Sequence, residues 1–311
     1  PESGVNNGNI DIENLRYKIV RNDGVTVADN LAECSYTDEK AGEEYAYTFY
    51  TVTAYNSAGE SEATVSKAML FGNTLSTPFT ESFANGTAAY SWYESNLSNN
   101  AVCWSVESSG NNPTTEAFDA DNGLLTFNSY SADVPKLTES RIISPAIQLA
   151  TGKEQYLNFA LYHYSGTFTT NDKVAVEVVK ADGSVESMGE ISREAAENGW
   201  KQYSFDLNKY AGEKAIAIAF KGVSDYGYNI HIDKVEINET SGVESVENGN
   251  IQVSAANGTV YVTAAEEVTA RIYNTLGQLI AEKEGTEMQF NLQSGIYIIQ
   301  SKNFIKKVTV R

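Results

Sequence analysis

Hydrophobic positions recur at every second residue along most of this chain. Segments 174–178 and 268–272 both alternate apolar with more polar side chains. Because successive side chains of a strand point to opposite faces, this period predicts half-buried β-strands. Turn-forming pairs such as Asp182-Gly183 and Asn257-Gly258 separate the apolar segments. Short strands at steady spacing predict an all-β chain built from sandwiches.

Three segments depart from simple alternation. Residues 215–220 are apolar at both parities, with larger side chains on one face and alanines on the other. This pattern predicts a central strand that is covered on both sides, and its small-residue face would let another layer approach closely. The parity also switches between Phe49 and Tyr50, which predicts a β-bulge. Residues 193–197 follow Ser192, a capping residue, and predict one or two helical turns.

Composition divides the chain into three parts. Stretches rich in Gly, Asn, Ser and Thr lie near residues 71–78 and 238–250. With 311 residues, two or three domains are expected. We therefore predict three consecutive β-sandwich domains at 1–72, 73–240 and 241–311. The chain starts at Pro1, which is not a natural first residue, so we expect a piece of a longer protein.

Charge and cysteine content exclude several protein classes. The net charge of −19 repels phosphate backbones, so no nucleic-acid partner is expected. No apolar run approaches the roughly 18 residues that a membrane-spanning helix needs, so no transmembrane segment is expected. The two cysteines, Cys34 and Cys103, are too few for a disulfide scaffold, and we expect them not to be bonded to each other because they fall in different predicted domains.

The first segment carries an ordered set of strand and turn motifs. They are Leu15-Arg16-Tyr17-Lys18-Ile19-Val20-Arg21, Tyr36-Thr37-Asp38, Tyr50-Thr51-Val52-Thr53-Ala54-Tyr55-Asn56 and Ala58-Gly59-Glu60-Ser61. In order and spacing this segment resembles a fibronectin type III domain that lacks its first two strands. The resemblance implies that residues 1–10 form the loop before the third strand of that sandwich.

The second segment carries a different set. Its motifs are Pro78-Phe79-Thr80-Glu81-Ser82-Phe83, the tryptophans Trp92, Trp104 and Trp200, Glu139-Ser140-Arg141-Ile142-Ile143-Ser144-Pro145, and Ile230-His231-Ile232-Asp233-Lys234-Val235-Glu236-Ile237. The set resembles the cleaved adhesin, or choice-of-anchor J, domain found in gingipains. The resemblance implies a jelly roll with the three tryptophans in its framework, and core positions are the favoured interpretation for them.

The third segment ends the chain with three motifs in order. They are Ala270-Arg271-Ile272-Tyr273-Asn274 with Leu276-Gly277, Gly295-Ile296-Tyr297-Ile298, and Lys306-Lys307-Val308-Thr309-Val310-Arg311. This segment resembles the C-terminal sorting domain of type IX secretion cargo. The resemblance implies a small seven-stranded sandwich that the outer-membrane secretion machinery reads. It also implies a secreted protein or one displayed on the bacterial cell surface.

A structural calcium ion is the cofactor that the jelly-roll resemblance implies, with Glu81 and Asp233 at the matching places. The apolar parity slips between Asp233 and Lys234, as a bulge would cause, and a bulge can redirect a side chain. Asp121 and Asn122 lie in the acidic loop Asp119-Ala120-Asp121-Asn122-Gly123, which could supply further oxygen ligands. The alternative interpretation is that all of these are ordinary surface residues.

Catalytic motifs are missing from the sequence, since it has neither a G-x-S-x-G elbow nor an H-E-x-x-H pair. Cys103 beside a family tryptophan is better explained as core than as a nucleophile. Tyr162, Tyr164, Tyr226 and Tyr228 are the predicted ligand-binding residues, because loops carry binding sites more often than strands do. The alternative interpretation is that these tyrosines simply cover strand ends.

Two functions fit these observations. The favoured one is a non-catalytic, adhesin-like binding module of a larger bacterial protein, with a host or matrix protein or a glycan as its partner. The alternative is an accessory substrate-binding or carbohydrate-binding region of a secreted protease or glycosidase whose catalytic domain lies upstream.

Overall fold

The protein is all-β, as predicted, and was analysed as a computed structural model. The structure describes residues 11–99, 101–164, 166, 171–192, 198–240, 251–256, 258–274, 278–293, 295–301 and 304–310. Within these ranges the helical structure is confined to two short 3₁₀ turns, Ala84–Gly86 and Asn208–Tyr210. The loop predicted at 1–10, the helical turns predicted at 193–197 and the linker residues 241–250 lie outside the described residues.

The strands are numbered in chain order. The first nine are β1 (Arg16–Arg21), β2 (Thr26–Leu31), β3 (Tyr47–Thr48), β4 (Tyr50–Asn56), β5 (Gly59–Glu60), β6 (Thr64–Val65), β7 (Met69–Leu70), β8 (Leu75–Ser76) and β9 (Phe79–Glu81). The next eleven are β10 (Tyr93–Asn96), β11 (Trp104–Glu107), β12 (Leu124–Phe127), β13 (Glu139–Ile143), β14 (Ile147–Gln148), β15 (Glu154–His163), β16 (Lys173–Lys180), β17 (Val185–Ser192), β18 (Gly199–Asp206), β19 (Ile216–Val223) and β20 (Ile230–Thr240). The last five are β21 (Ile251–Ala256), β22 (Thr259–Asn274), β23 (Leu279–Asn291), β24 (Gly295–Ser301) and β25 (Phe304–Val310).

The first strands form a small sheet, sheet I, in the order β2-β1-β4-β5, with β6 also paired to β4. Every residue of β1 and β4 is only partly buried, so neither face of this sheet is sealed. Ile19, Tyr50 and Val52 line an open cleft of about 400 Å³ on one face. The fibronectin type III identity of this segment stays a prediction.

The parity switch before Tyr50 is a change of sheet rather than the predicted bulge. β3 pairs with β7 in a separate two-stranded ribbon, whereas β4 begins at Tyr50 in sheet I. Asn22 holds the crossing: its side-chain amide donates to the Tyr47 carbonyl (2.9 Å), and its carboxamide oxygen accepts from the Phe49 amide (3.3 Å). The chain can therefore change sheets without leaving these backbone groups unpaired.

Two larger sheets pack face to face to form the jelly roll. Sheet II has seven strands, β10-β13-β19-β14-β8 with β16 and β17 joined through β19, and sheet III has six, β11-β12-β20-β15-β18 with β9 paired to β20. One apolar core fills the space between them. Phe220 of sheet II and Phe159 of sheet III meet edge to face with ring centroids 5.0 Å apart.

The central strand of sheet II is β19, as residues 215–220 predicted. It lies between β13 and β16, and all six of these residues are buried. The alanine face, formed by Ala217 and Ala219, packs with Tyr47 and Leu70 of the β3–β7 ribbon. The neighbouring strand β16 was predicted to be half-buried but is buried on both faces. Its outward Glu177 is paired with Arg141 (2.5 Å), which offsets the cost of burying that charge.

The slip predicted in β20 is also present. Lys234 has a left-handed φ of 52°, which lets Ile230 and Ile232 on one side of it and Val235 and Ile237 on the other all face the core. The same turn of the backbone buries the Asp233 side chain completely. Residues before the slip pair with β12 and residues after it pair with β9.

Two of the three tryptophans are core residues as expected. Trp104 is buried, and Trp92 packs against the core with its ring stacked on Phe220. The prediction for Trp200 was wrong, because Trp200 lies outside the core cluster, on the other face of sheet III. It is placed there by its pairing with Tyr162, which occupies an outward position of β15. Both cysteines are free, Cys34 exposed and Cys103 buried, so the prediction that they are not bonded is confirmed.

The C-terminal unit has its own sheet, sheet IV, in the order β21-β22-β24-β25 with β23 on β22. Its core alternates as predicted and includes Val268, Ala270 and Ile272. β22 is 16 residues long and its register with β23 shifts between Thr263 and Val268. β22 pairs with β21 before the shift and with β24 after it. The resemblance implied seven strands, whereas the described part of this unit has five. The difference arises because β22 and β23 are long strands that each continue past the register shift and so count once instead of twice.

Contacts divide the chain into two compact units, Pro1–Asn238 and Glu239–Arg311. The core of the jelly roll and the core of sheet IV share no residue. The further division of the first unit into domains 1–72 and 73–240 stays a prediction. No helix in the described ranges is long and apolar enough to cross a membrane.

Candidate functional site

Two of the predicted ligand-binding tyrosines meet at one end of the jelly roll. Tyr164 follows the end of β15, and Tyr228 lies in the connection from β19 to β20; their rings are 4.7 Å apart and nearly perpendicular. Tyr130, which follows β12, stacks on Tyr228 at 6.0 Å. We call Tyr130, Tyr164 and Tyr228 the tyrosine platform. Tyr226, from the same connection, is 51% exposed.

A glycine makes the close approach of two platform rings to the backbone possible. A Cβ atom at Gly166 would lie 2.3 Å from the Tyr228 ring and 2.7 Å from the Tyr164 ring. Gly166 also has φ of 39°, which favours glycine. Any larger residue at position 166 would therefore have to displace the platform.

A buried carboxylate lies beneath the connection that carries Tyr226 and Tyr228. Asp172 is fully buried, and its Oδ1 accepts hydrogen bonds from the Ser129 hydroxyl, the Asp225 amide (2.9 Å) and the Gly227 amide (3.1 Å). Hydrogen bonds to a charged acceptor are about twice as strong as neutral ones. Asp172 therefore fixes the backbone on both sides of Tyr226.

Further polar contacts complete the support of this connection. Ser224 accepts from the Tyr226 amide (3.0 Å) and shares a hydrogen bond with Ser129 (2.8 Å). Asp225 accepts from the Asn171 amide (2.9 Å) and pairs with Lys136 (2.5 Å), and these two contacts hold the pKa of Asp225 below its usual value. Tyr226 is kept at φ of 59°, a conformation that a tyrosine adopts only when its surroundings impose it.

The backbone of Tyr130 is fixed by Asn229, a buried residue immediately before β20. The Asn229 carboxamide oxygen accepts from the Tyr130 amide (2.9 Å), and its NH₂ group donates to the Asn111 carbonyl (3.1 Å). The Asn229 amide donates to the Asn112 carbonyl (2.7 Å). One buried side chain thus joins the platform to the connection between β11 and β12.

The two histidines are structural. His231 is buried, its Nε2 donates to the Pro113 carbonyl (3.1 Å), and its Nδ1 therefore accepts from Thr126 (3.0 Å). His163 is buried against the Tyr203 hydroxyl (2.6 Å). Cys103 is also buried, and burial, reinforced by the charge of Glu94, raises its pKa to about 11. A thiol with this pKa stays protonated at neutral pH and is a poor nucleophile.

A second aromatic group lies on the outer face of sheet III. Tyr162 contacts Trp200 edge to face at 5.3 Å, and Phe118 contacts Trp200 at 5.8 Å. The Trp200 indole donates to the Glu116 carbonyl (3.1 Å), which holds the β11–β12 connection against β18. Tyr162, predicted as a ligand-binding residue together with Tyr164, therefore belongs to this group and not to the platform.

Three carboxylates converge next to Phe118. Oxygens of Asp119, Asp121 and Asp233 all lie within 4.8 Å of one another. Burial raises the pKa of Asp233 to about 7; the charges of Asp119 and Asp121 act in the same direction, and amide hydrogen bonds from Phe118 (2.7 Å) and Lys234 (2.6 Å) oppose it. Burial and the neighbouring Asp121 likewise raise the pKa of Asp119. Three close carboxylates repel one another unless a cation or a proton relieves them.

Glu81 is not among the three carboxylates of this group, and its role as a metal ligand beside Asp233 stays a prediction. Glu81 is buried and its carboxylate is instead surrounded by donors. Four N–H groups donate to it, those of Phe83 (2.9 Å), Ala89 (3.0 Å), Tyr90 (3.2 Å) and the Trp92 indole (3.3 Å). Asn122 is exposed, with a left-handed φ of 60°. Its role as a metal ligand stays a prediction.

The sequence did not single out Tyr130, Asp172 or Phe118 as site residues. Tyr130 is one of 19 tyrosines and has no motif around it. Asp172 and Ser129 are 43 residues apart, so no local spacing indicates their contact. Asp119, by contrast, stands two residues before Asp121 in the acidic loop that was already noticed.

Residues 254–311 match the family model described as Secretion system C-terminal sorting domain. This is the type IX sorting domain that the motifs of the third segment predicted. The protein is accordingly secreted or displayed at the cell surface. No curated protein matches the chain.

Several solved structures are similar to the chain. The K1 cleaved adhesin domain of Lys-gingipain from Porphyromonas gingivalis W83 has a TM-score of 0.40 and 21% identity, over 53% of this chain and 99% of its own. A carbohydrate-binding module of the β-sandwich superfamily has a TM-score of 0.36 and 11% identity, over 72% of this chain and 85% of its own. The glycoside hydrolase domain of Endo-D from Streptococcus pneumoniae R6 has a TM-score of 0.36 and 11% identity, over 76% of this chain and 44% of its own.

Proposed function

We propose that this secreted protein is a non-catalytic glycan-binding module and that the tyrosine platform is its binding site. The observation that carries the proposal is the placement of Tyr130, Tyr164 and Tyr228 outside the core, with the backbone before Tyr228 held by the buried Asp172 and that of Tyr130 held by the buried Asn229. A tyrosine offers an apolar ring and a polar hydroxyl, which suits the mixed surface of a sugar. Fixed backbone lowers the entropy lost on binding.

The chemistry of the described residues supports binding rather than catalysis. His163 and His231 are buried, with the His163 Nε2 and both ring nitrogens of His231 in hydrogen bonds, and Cys103 is buried with a raised pKa. A general base or nucleophile must reach a substrate atom. These three side chains are all enclosed within the protein.

Binding is tested by titrating the full chain with neutral oligosaccharides in a calorimeter. Tyr228→Ala and Tyr164→Ala should each weaken binding at least tenfold, as expected when an aromatic contact worth about 1.4 kcal/mol or more is removed. Tyr261→Ala is the matched control, since Tyr261 is a partly exposed tyrosine of sheet IV and should leave the affinity unchanged. A Tyr228→Ala protein that keeps its fold and its full affinity would contradict the proposal.

We further propose that the Asp119–Asp121–Asp233 group holds a structural divalent cation, with calcium as the expected ion. The residues fit such an ion: they supply hard oxygen ligands, and the Asp121 Oδ1 atom is buried and has no hydrogen-bond partner within the described part of the chain. The bound ion would offset the repulsion of the three carboxylates and hold the β11–β12 connection to β20. Asp119 replaces Glu81 in this proposal.

The cation is tested by melting metal-stripped protein with and without calcium. Calcium should raise the melting temperature, since an ion at 100 times its dissociation constant stabilises the fold by about 2.7 kcal/mol. Asp233→Asn should abolish the response, and the exposed Asp133→Asn should keep it. Superposed melting curves of the unsubstituted protein would rule the ion out.

A further inference from the structure

The two aromatic groups lie next to each other along one strand. Tyr162 belongs to the group with Trp200 and Phe118, and Tyr164 belongs to the platform. His163 between them is buried, whereas both tyrosines are partly exposed, so the alternation of β15 continues past its end. Two residues along a strand span roughly 7 Å, which places these tyrosines side by side on the outer face.

Six rings therefore follow one another on the surface. They run in the order Phe118, Trp200, Tyr162, Tyr164, Tyr228 and Tyr130, and we call this row the aromatic strip. None of the six belongs to the core cluster of the jelly roll. Each keeps some exposure, up to 41% for Tyr130. Rings that only cover strand ends need not form a continuous row, so the strip is better explained as a binding surface.

The middle of the strip rests on a rigid base. The ring of His231 lies 6.3 Å from that of Tyr162, and both of its nitrogens are hydrogen-bonded to Thr126 and Pro113. The platform end rests on Asp172 and Asn229, and the other end is tied by the Trp200 indole to Glu116. The strip is thus held in its middle and at both ends by contacts within the protein.

Charge limits what the strip can accept. From residue 243 onward the chain has seven Glu, four Lys and two Arg, a net charge of −1, so residues 1–242 carry −18. Asp119 directly follows Phe118 in the sequence, and Glu116 lies two residues before it. A protein region with a large net negative charge repels ligands of the same sign, which disfavours sulfated and uronic acid-rich polymers.

We infer that the strip binds an extended, neutral polysaccharide chain along the outer face of β15, from Phe118 to Tyr130. This inference rests on the proposed glycan-binding function and names the class of ligand. A single terminal sugar would need only the platform, whereas a chain of sugars can contact successive rings. Each additional contact adds to the binding free energy, so affinity should grow with chain length until the strip is filled.

The test is a calorimetric titration of the full chain with neutral β-linked glucan, mannan and xylan oligosaccharides, from disaccharide to octasaccharide. Affinity for the preferred series should rise at least tenfold between the shortest and longest members. Trp200→Ala should remove this rise while leaving the affinity for the shortest bound member unchanged. Tyr228→Ala should weaken binding of every length, and the control Tyr261→Ala should change nothing.

Trp200→Phe guards against a folding defect, because it keeps an aromatic ring and loses only the indole hydrogen bond to Glu116. This variant should retain at least half of the length-dependent gain. A length-independent affinity in the unsubstituted protein, or an unchanged gain in folded Trp200→Ala, would overturn the extended site and leave the platform intact. Stronger binding of a sulfated or uronic acid polymer would overturn the choice of a neutral chain. If Tyr228→Ala bound both short and long ligands with unchanged affinity, the glycan-binding function itself would be overturned.

Discussion

Glu81 and Asp233 are both buried carboxylates, but Glu81 is surrounded by hydrogen-bond donors and Asp233 lies beside two other carboxylates. Glu81 accepts hydrogen bonds from four N–H groups, which provide its buried oxygens with donors. Asp233 accepts two amides but faces Asp119 and Asp121. The first residue has its charge satisfied by the fold alone, whereas the second needs a proton or a cation.

We expect Glu81→Gln to lower the free energy of unfolding of the first unit by about 1–3 kcal/mol, because it removes charge-assisted hydrogen bonds from a buried group. The loss should be the same with and without calcium. Chemical denaturation of metal-stripped and calcium-loaded protein measures it. If the loss occurred only in the presence of calcium, Glu81 would be a ligand after all, as the sequence predicted.

On the scale of elements, sheet I depends on one ionic group. Arg21, at the end of β1, pairs with Asp23 (2.6 Å) and with Asp38 (2.9 Å), and Asp38 also accepts from the Tyr50 hydroxyl (3.0 Å). Burial raises the pKa of Asp38, but the hydrogen bonds from Arg21, Lys40 and Tyr50 outweigh it and leave the pKa below its ordinary value of 3.8. The pKa of Asp23 is also below its ordinary value, because hydrogen bonds from Arg21 and the Val25 amide outweigh the effect of burial.

A lowered carboxyl pKa contributes stability above the unfolded pKa and loses it as the pH falls through the folded one. The Asp38 contribution should therefore be complete at pH 6 and decline below about pH 4. Asp38→Asn should cost about 1–3 kcal/mol at pH 6 and flatten the acid side of the stability profile. Urea unfolding of the first unit between pH 6 and pH 3 checks this, with the exposed Asp133→Asn as the control. Parallel profiles for Asp38→Asn and the unsubstituted protein would contradict it.

Strands were predictable where a local pattern determines them. The two apolar parities of residues 215–220 indicated a doubly covered strand, and the slip at Asp233 and Lys234 indicated the backbone turn in β20. The sheet change at Phe49 was mistaken for a bulge because both reverse the parity, and only the pairing of β3 with β7 distinguishes them.

The candidate site was predictable only in part. Tyr164 and Tyr228 were identified from their loops, but Tyr130 joins them through contacts between residues about 100 positions apart in the chain. Trp200 was placed in the core because its family position favoured it, and its outward register with Tyr162 reversed that. Long-range pairing of strands, which no short motif records, decided both outcomes.

At the scale of the whole molecule, the two units should melt separately, because their cores share no residue. Ile272→Ala should remove about 2–5 kcal/mol from the C-terminal unit, and Ile218→Ala a similar amount from the first. Scanning calorimetry should show each substitution lowering one transition and leaving the other in place. A single transition that moves in both variants would contradict two independent cores.

The alanine face of β19 has a consequence for how such domains can be exchanged between proteins. Ala217 and Ala219, with Ile143 and Val179, are fully buried, and Tyr47 and Leu70 pack against them. A jelly roll transplanted without residues 11–72 would carry this apolar patch uncovered, which favours aggregation. Because of these two small side chains, the jelly roll depends on the segment before it. Recombination at residue 73 should give a soluble protein only where the new preceding domain supplies residues that cover the patch.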